Sequence, residues 1–374
     1  MSMVTLELVP RDLLFLRDGR PMDVDKGESY YRNVGHGANW PRPDHLYNAF
    51  MHALVGRMEG EREYGRHGDL RTVGPFPMRA GEVYFPRPLD WKMKPVQFDS
   101  FGMTDLPDYL THGFLDCDQT KKTYPAWLSL KEYVGYLSGI CVEFDEKYPR
   151  ELYFTECRTG NTLDDECGAS AKTNGSLSGR YSAEYLRLAE GVTMWSAADI
   201  GCDSNTVPQR IVMGGQGGVL SVLPNHPPRL SEMFPMPKAI GNGEKFVRWT
   251  LLTPAYYPET GWLPSFCKDS RKNVLACDHA PIGTVLLKDV VGVSLIGACT
   301  GKPIAVSGFD TLTGVKPTRL VVPAGSVYLF RCVDAVSANA LIDKLHLQAR
   351  SQNNNAGFGV GVCSLVSSNG ILGN

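Results

Sequence analysis

Glycine and proline decide what this chain can fold into. The 374 residues include 39 glycines and 25 prolines. Proline fixes φ and removes a backbone donor, and a glycine inside a helix costs roughly 1 kcal/mol relative to alanine. Short strands joined by turns and long loops survive such a composition; a helical bundle does not. The hydrophobic pattern agrees. Val4, Leu6 and Leu8 alternate with Thr5 and Glu7, the period of a strand with one buried face. Leu46, Phe50, Ala53 and Leu54 recur at helical spacing within residues 43–58, with Pro43 suited to the first turn. Trp127, Leu130, Val134 and Leu137 fit a second helix, and residues 151–157, 192–198 and 219–223 read as strands.

The length exceeds what one core usually serves, so two domains are expected. A proline-rich stretch over residues 224–237 marks the boundary and divides the chain into residues 1–234 and 235–374. The second part opens on a strand through Val247, Trp249 and Leu251, with strand-like runs at 284–293 and 325–332. A helix follows, with Ser337 as the expected N-cap and Ala338, Leu341, Ile342 and Leu345 on one apolar face; residues 358–366 form a last strand. That order matches the back part of a βαββαβ ferredoxin-like unit, although the crossover helix due between 259 and 280 is not evident. The fold class is α+β.

Function classes fall away next. Net charge is -2, so any grip on nucleic acid must be local. No run approaches the roughly 18–20 apolar residues of a membrane span, and the N-terminus lacks a signal-peptide pattern, which reads as cytoplasmic with no membrane partner. The ten cysteines show no metal-ligand spacing. The segment from Gly297 to Pro303 is one residue short of a phosphate loop, and no serine-nucleophile elbow is present. The eight histidines stand singly. His36, between two glycines, is the best placed of them to act as a base; Asp164, Asp165 and Glu166 read as a solvated acidic loop rather than a metal site. No catalytic residue, metal ligand or cofactor is expected. Two glycine-rich segments remain, Gly214-Gly215-Gln216-Gly217-Gly218 and 357–361. Either could let a backbone approach a phosphate, or could be a bulge or a tight packing point.

These segments, taken with others, resemble a known family. The run 14–21, with Phe15, Arg17, Asp18, Gly19, Arg20 and Pro21, is similar to the opening F-R-D-G-R-P signature of the third-subunit group of Cmr complexes, within the RAMP superfamily of CRISPR-associated proteins. Trp40-Pro41-Arg42-Pro43, Tyr84-Phe85-Pro86-Arg87-Pro88, and Glu156-Cys157-Arg158-Thr159-Gly160 with Tyr181 and Arg187 follow in the family's order. So do the glycine loop at 214–218, Thr253-Pro254, Gly261-Trp262, Pro323-Ala324-Gly325 and Gly357-Phe358-Gly359. One departure touches chemistry: the family's glycine loop usually ends in a basic residue with an acidic one inside, and here both are missing.

The resemblance implies two ferredoxin-like (RRM-like) domains with large insertions. It implies a non-catalytic subunit of a type III effector complex that binds the 5′ repeat-derived tag of the crRNA and bridges the large polymerase-palm subunit to a backbone RAMP subunit. Arg17, Arg20, Arg158, Lys172, Arg180, Gly214, Gly215, Gln216 and Gly217 are the expected RNA contacts, because single-stranded RNA is held by cationic side chains and exposed backbone N–H groups. The structural alternative for Arg17 and Arg20 is pairing with Asp12, Asp18 or Asp23 in a turn. The competing function is a metal-independent RAMP endoribonuclease that processes repeat RNA, with His36 as base assisted by Tyr30 or Tyr31. A third is a purely structural adaptor between protein subunits.

Overall fold

The structure is a computed structural model in which residues 3–19, 34–55, 70–91, 98–100, 110–114, 124–140, 151–161, 180–199, 207–223, 225–267, 283–310 and 314–366 are described. The first elements are β1 (Val4–Pro10), β2 (Val34–Gly35), α1 (Pro43–Val55), β3 (Arg71–Arg79), β4 (Glu82–Pro86), β5 (Phe98–Ser100), β6 (His112–Phe114), β7 (Trp127–Ser129) and α2 (Leu130–Leu137). Next come β8 (Tyr153–Asn161), β9 (Arg180–Leu188), β10 (Val192–Asp199), β11 (Arg210–Met213), β12 (Gly218–Leu223), α3 (Leu230–Met233) and β13 (Lys245–Leu251). The chain ends with β14 (Val293–Cys299), β15 (Ile304–Val306), β16 (Phe309–Asp310), β17 (Gly314–Val315), β18 (Arg319–Val321), β19 (Val327–Cys332), α4 (Ala335–Leu345) and β20 (Gly361–Val366). Sheets are mostly antiparallel and helices few, as the glycine and proline content requires. No described helix is long and apolar enough to cross a membrane.

Two compact units emerge, and neither is one continuous segment. The first comprises Met1–Ala80, Glu151–His226 and Ala305–Arg319; the second comprises Gly81–Arg150, Pro227–Ile304 and Leu320–Asn374. One change of unit, at His226/Pro227, lies inside the proline-rich stretch.

In the first unit the strands run β11-β12-β1-β10-β3. Alternation in β1 turns Leu6 and Leu8 inward, where they meet Leu46, Ala49 and Phe50 of α1 and Ile211, Leu220 and Val222 of the neighbouring strands. A smaller sheet, β2-β9-β8, carries the long β8–β9 hairpin, in which Arg158 faces Ala183 and Glu156 faces Tyr185.

The second unit holds an antiparallel sheet of order β14-β19-β13-β20. α4 lays Ala338, Leu341, Ile342 and Leu345 onto Val247, Trp249, Tyr328 and Phe330. That is the apolar face expected from sequence, but its N-cap is not Ser337. Asp334 caps the helix, its Oδ1 accepting from the Ser337 N–H at 2.7 Å. A carboxylate three residues before an N–H of the first turn outcompetes a serine already inside the helix.

Two further expectations need correction. Residues 284–293 are not a strand, because Asp289 and Gly292 take φ of 66° and 70° and interrupt the extended backbone; the strand begins at Val293. α2 starts only at Leu130, since Trp127–Ser129 pair with β4 as a strand. Ser129 and Glu132 form a capping box there, and the buried side chains are Glu132, Tyr133 and Tyr136, while Val134 is 41% exposed. Aromatic area decides that rotation. Tyr133 meets Phe85 and Phe234 at 5.7 and 5.5 Å between ring centroids, contacts that Val134 could not make.

Rotating the tyrosines inward builds a buried polar cluster. The Tyr136 hydroxyl donates to Asp90 Oδ1 at 2.8 Å and lies 3.1 Å from Thr250 Oγ1. Arg248 Nε stands 3.4 Å from Asp90 Oδ2, and its guanidinium lies over the Tyr136 ring at 5.2 Å. Burial raises the Asp90 carboxyl above its ordinary value, and Arg248 offsets this in part. Removing one partner of a buried ion pair strands the other charge. Asp90→Ala is therefore expected to destabilise the protein by about 3–5 kcal/mol in urea unfolding, and adding Arg248→Met should recover part of that loss. A double variant as unstable as the single one would refute the coupling.

Candidate nucleic-acid interface

The site is organised by the segment that follows β1. Leu14 exchanges two backbone hydrogen bonds with Leu186 of β9, at 3.0 and 2.8 Å. On the next residue the Phe15 carbonyl accepts from Gly215 N–H at 2.8 Å. Further along, Ala38 N–H donates to Leu16 O and Asp18 N–H to His36 O. The segment thus ties the β8–β9 hairpin, the glycine loop and the β2 region together. Leu14 and Leu16 point into the core, which leaves Phe15 and Arg17 on the opposite side. Arg42, almost fully buried, braces the same segment: its Nη1 donates to Arg17 O at 3.2 Å and its guanidinium pairs with Asp44 at 3.1 Å.

The glycine loop is the turn between β11 and β12. Gly214, Gln216 and Gly217 take φ of 78°, 60° and 69°, so the turn lies in the left-handed region. A Cβ at Gly215 would sit 2.9 Å from the Phe15 ring, and one at Gly218 would sit 2.7 Å from Leu14. Packing therefore explains Gly215 and Gly218. Around Gly217 a Cβ would meet nothing within 4 Å, so that face of the loop is open.

Against this open face the hairpin brings its charges. Arg158, Tyr185, Gly215, Gln216, Gly217, Arg11, Asp12, Leu13 and Val219 line one cleft. Tyr185 stands at its centre, with Phe15 at 5.4 Å between ring centroids and the Arg158 guanidinium 5.6 Å above the ring. The Tyr185 hydroxyl donates to Gln216 Oε1, which turns the amide N–H groups of Gln216 away as donors. Arg158 Nε also contacts Glu156 Oε1 at 2.9 Å, and Arg187 holds the other oxygen of Glu156 at 2.6 Å. Two guanidinium groups share one carboxylate, and Asp12 adds a second acid to the cleft lining.

Of the residues expected to contact RNA, the structure gathers Arg158, Gly215, Gln216 and Gly217 in this cleft, with Gly214 adjoining in the loop. Arg17 is exposed but does not line it. The backbone of Arg180 pairs with Asn161 at the far end of the hairpin. Arg20 and Lys172 lie outside the described residues, as do Tyr30, Tyr31 and the acidic run 164–166. Sequence reasoning missed Arg11 and Tyr185 as cleft residues. Tyr185 stands two residues before Arg187 in β9, on the same strand face, a period-two signal that could have found it. The other glycine-rich segment, 357–361, is a packing feature: a Cβ at Gly361 would strike the Trp249 indole.

His36 has a partner. Its Nδ1 lies 3.3 Å from Glu184 Oε2, and the same oxygen accepts from Gly37 N–H at 3.1 Å. His45 and His346 are held inside the fold, whereas His52 and His226 are exposed. His45 is pushed down to about 4 by burial, and His346 bridges the Phe234 carbonyl and the Cys363 N–H. Among the described residues no group of three or more His, Cys, Asp or Glu could hold a metal.

Hydrogen bonds from Arg187 first and Arg158 second hold the Glu156 carboxyl below the ordinary glutamate range. A depressed carboxyl means that the contact is fully present above the ordinary value and is lost as pH falls through the lowered one. Carboxyl NMR should place the Glu156 midpoint below the ordinary glutamate range. Arg158→Ala should raise it only part of the way, because Arg187 remains. A wild-type midpoint at the ordinary value would show that the shared contact is absent in solution.

The family model described as CRISPR-associated protein (Cas_Cmr3) matches residues 6–367. Among solved structures, a type III-B Cmr-beta complex bound to cognate target RNA and AMPPnP contains a chain 14% identical to this one, with a TM-score of 0.44 over 87% of this chain and 86% of that one. A Csm3–Csm4 subcomplex of the type III-A CRISPR-Cas interference complex contains a chain 11% identical, with a TM-score of 0.34 over 87% and 92%. No curated protein matches the sequence. A match that runs from β1 to the end of β20 takes in the hairpin, the glycine loop and both sheets, and the chain belongs to the CRISPR-associated Cas_Cmr3 family.

Proposed function

We propose that this protein is a non-catalytic subunit of a type III CRISPR effector complex that binds the 5′ tag of the crRNA in the cleft between the β8–β9 hairpin and the glycine loop. It bridges the large polymerase-palm subunit to a backbone RAMP subunit. The observation that carries the reading is the meeting of Arg158, Tyr185, Gln216 and the open backbone of Gly217 in one cleft. Cation, aromatic ring, amide donors and close backbone approach are what a phosphate turn with a splayed base requires. Both main sheets support two ferredoxin-like domains. β12-β1-β10-β3 and β20-β13-β19-β14 each have the order fourth, first, third, second of a βαββαβ unit.

Repeat-RNA cleavage is the competing reading, and the His36–Glu184 contact at 3.3 Å is what favours it. A carboxylate beside an imidazole can orient a base. Here the same carboxylate oxygen also holds the Gly37 backbone, which gives the pair a structural task, pinning the β2 region onto β9.

Arg158→Ala is expected to weaken capture of tagged crRNA by about 1–3 kcal/mol. It should also flatten the dependence of log affinity on log salt by about 0.7, one phosphate contact on a single strand. Gln216→Ala should weaken capture while leaving that slope unchanged, since no charge is lost. Gly215→Val is a poor probe because it collides with Phe15. Normal capture by both folded variants would remove the cleft from the binding surface. Labelled repeat RNA should survive incubation with the protein, with or without magnesium; cleavage that disappears in His36→Ala would replace this reading with the nuclease.

A further inference from the structure

The outer face of the β11–β12–β1 part of the sheet carries a regular array. Strand register places Val9, Ser221 and Arg210 in one row. The Arg11 N–H bond to Val219 O at 2.9 Å, with the Val212–Val219 pairing, places Arg11, Val219 and Val212 in the next. Their sequence neighbours Leu8, Leu220, Ile211 and Met213 face the core, so this side of the three strands faces outward. Arg11 and Arg210 are exposed, and Val212 is 50% exposed. Arg11 Nε donates to Ser221 Oγ at 3.1 Å, which sets its guanidinium over the array. Two of the six, Arg11 and Val219, also line the cleft, so array and cleft form one continuous surface.

We propose that this face is a track for single-stranded RNA running on from the cleft. Val9, Val219 and Val212 make an aliphatic floor against which a ribose or a base can lie, and Arg11 and Arg210 hold phosphates at its two sides. Alternation of valine with arginine fits a polyanion that also presents apolar faces. Glu7 sits beyond the Val9 row, where it accepts from Asn225 Nδ2 at 2.6 Å, and Asp12 lies in the adjoining cleft. The inference rests on the cleft reading but makes a separate claim, because Arg210 and Val212 lie outside the cleft.

The test uses the full chain and tagged crRNA carrying 4-thiouridine at successive positions. Photo-cross-links should appear on the peptide spanning residues 207–223. Arg210→Gln should lower affinity about tenfold and flatten the salt slope by about 0.7, and Arg210→Lys should restore the slope. If Arg210→Gln binds RNA like wild type while Arg158→Ala does not, the track is wrong and the cleft stands. If Arg158→Ala has no effect and Arg210→Gln does, the cleft reading fails instead. Wild-type RNA binding by Arg210→Gln together with failure to assemble with partner subunits would assign the face to protein and overturn the track.

Discussion

The pairing of Phe15 with Gly215 on one edge and of Leu14 with Leu186 on the other is the constraint on which the candidate interface depends. A strand-like segment only a few residues long joins two features that are far apart in sequence, the glycine loop and the hairpin. Its odd and even residues divide the work. Leu14 and Leu16 anchor it in the core, and the Phe15 ring supports Tyr185. Because the Phe15 carbonyl is held by Gly215 and its ring fills the space where a Cβ would project, glycine at 215 and the aromatic at 15 require each other. The Gly-rich sequence of the loop is thus first a packing solution, and its open side at Gly217 is what that solution leaves available.

Charge follows the same economy. A protein of net charge -2 cannot attract a polyanion by its overall field. The hairpin nevertheless concentrates Arg158 and Arg187 around Glu156. That carboxylate costs the hairpin some attraction but fixes both guanidinium groups in direction, so that Arg158 lies over Tyr185 instead of sweeping through solvent. Preorganised contacts of this kind contribute selectivity more than bulk affinity. On the proposed RNA reading they also imply a shallow salt dependence, since few counterions would be released.

Much of the fold was legible because strand and helix periods are local properties. β1, β10 and β13 form where their sequence runs mark strands, and the buried face of α4 is the one its spacing marks. The failures have physical causes. Rotation of α2 was set by Tyr133 finding Phe85 and Phe234 and Tyr136 finding Asp90, a tertiary choice that periodicity does not contain. The Ser337 cap lost to a carboxylate three residues upstream, a competition between two good caps. At the site, Arg158 was legible through the family resemblance and the glycine loop through its run of glycines. Arg11 was not: it closes an ordinary strand, and only the fold brings that strand end to the cleft.

Arg11 also bears on the loop's departure from the family pattern. A basic residue at the end of the glycine loop is missing here, and Gly218, at that place, packs so closely on Leu14 and the Met213 carbonyl that no side chain fits without displacing them. On the proposed RNA reading, a cation at this end of the cleft has to come from another strand. Arg11 pairs its backbone with Val219, the residue immediately after Gly218, and so delivers a guanidinium to the same end of the cleft from β1's side. Its Nε donates to Ser221 Oγ. Close packing at one strand and charge at the next are thereby separated onto two residues. A single basic residue at the loop's end would have had to combine both, and in this chain the geometry at Gly218 rules that combination out.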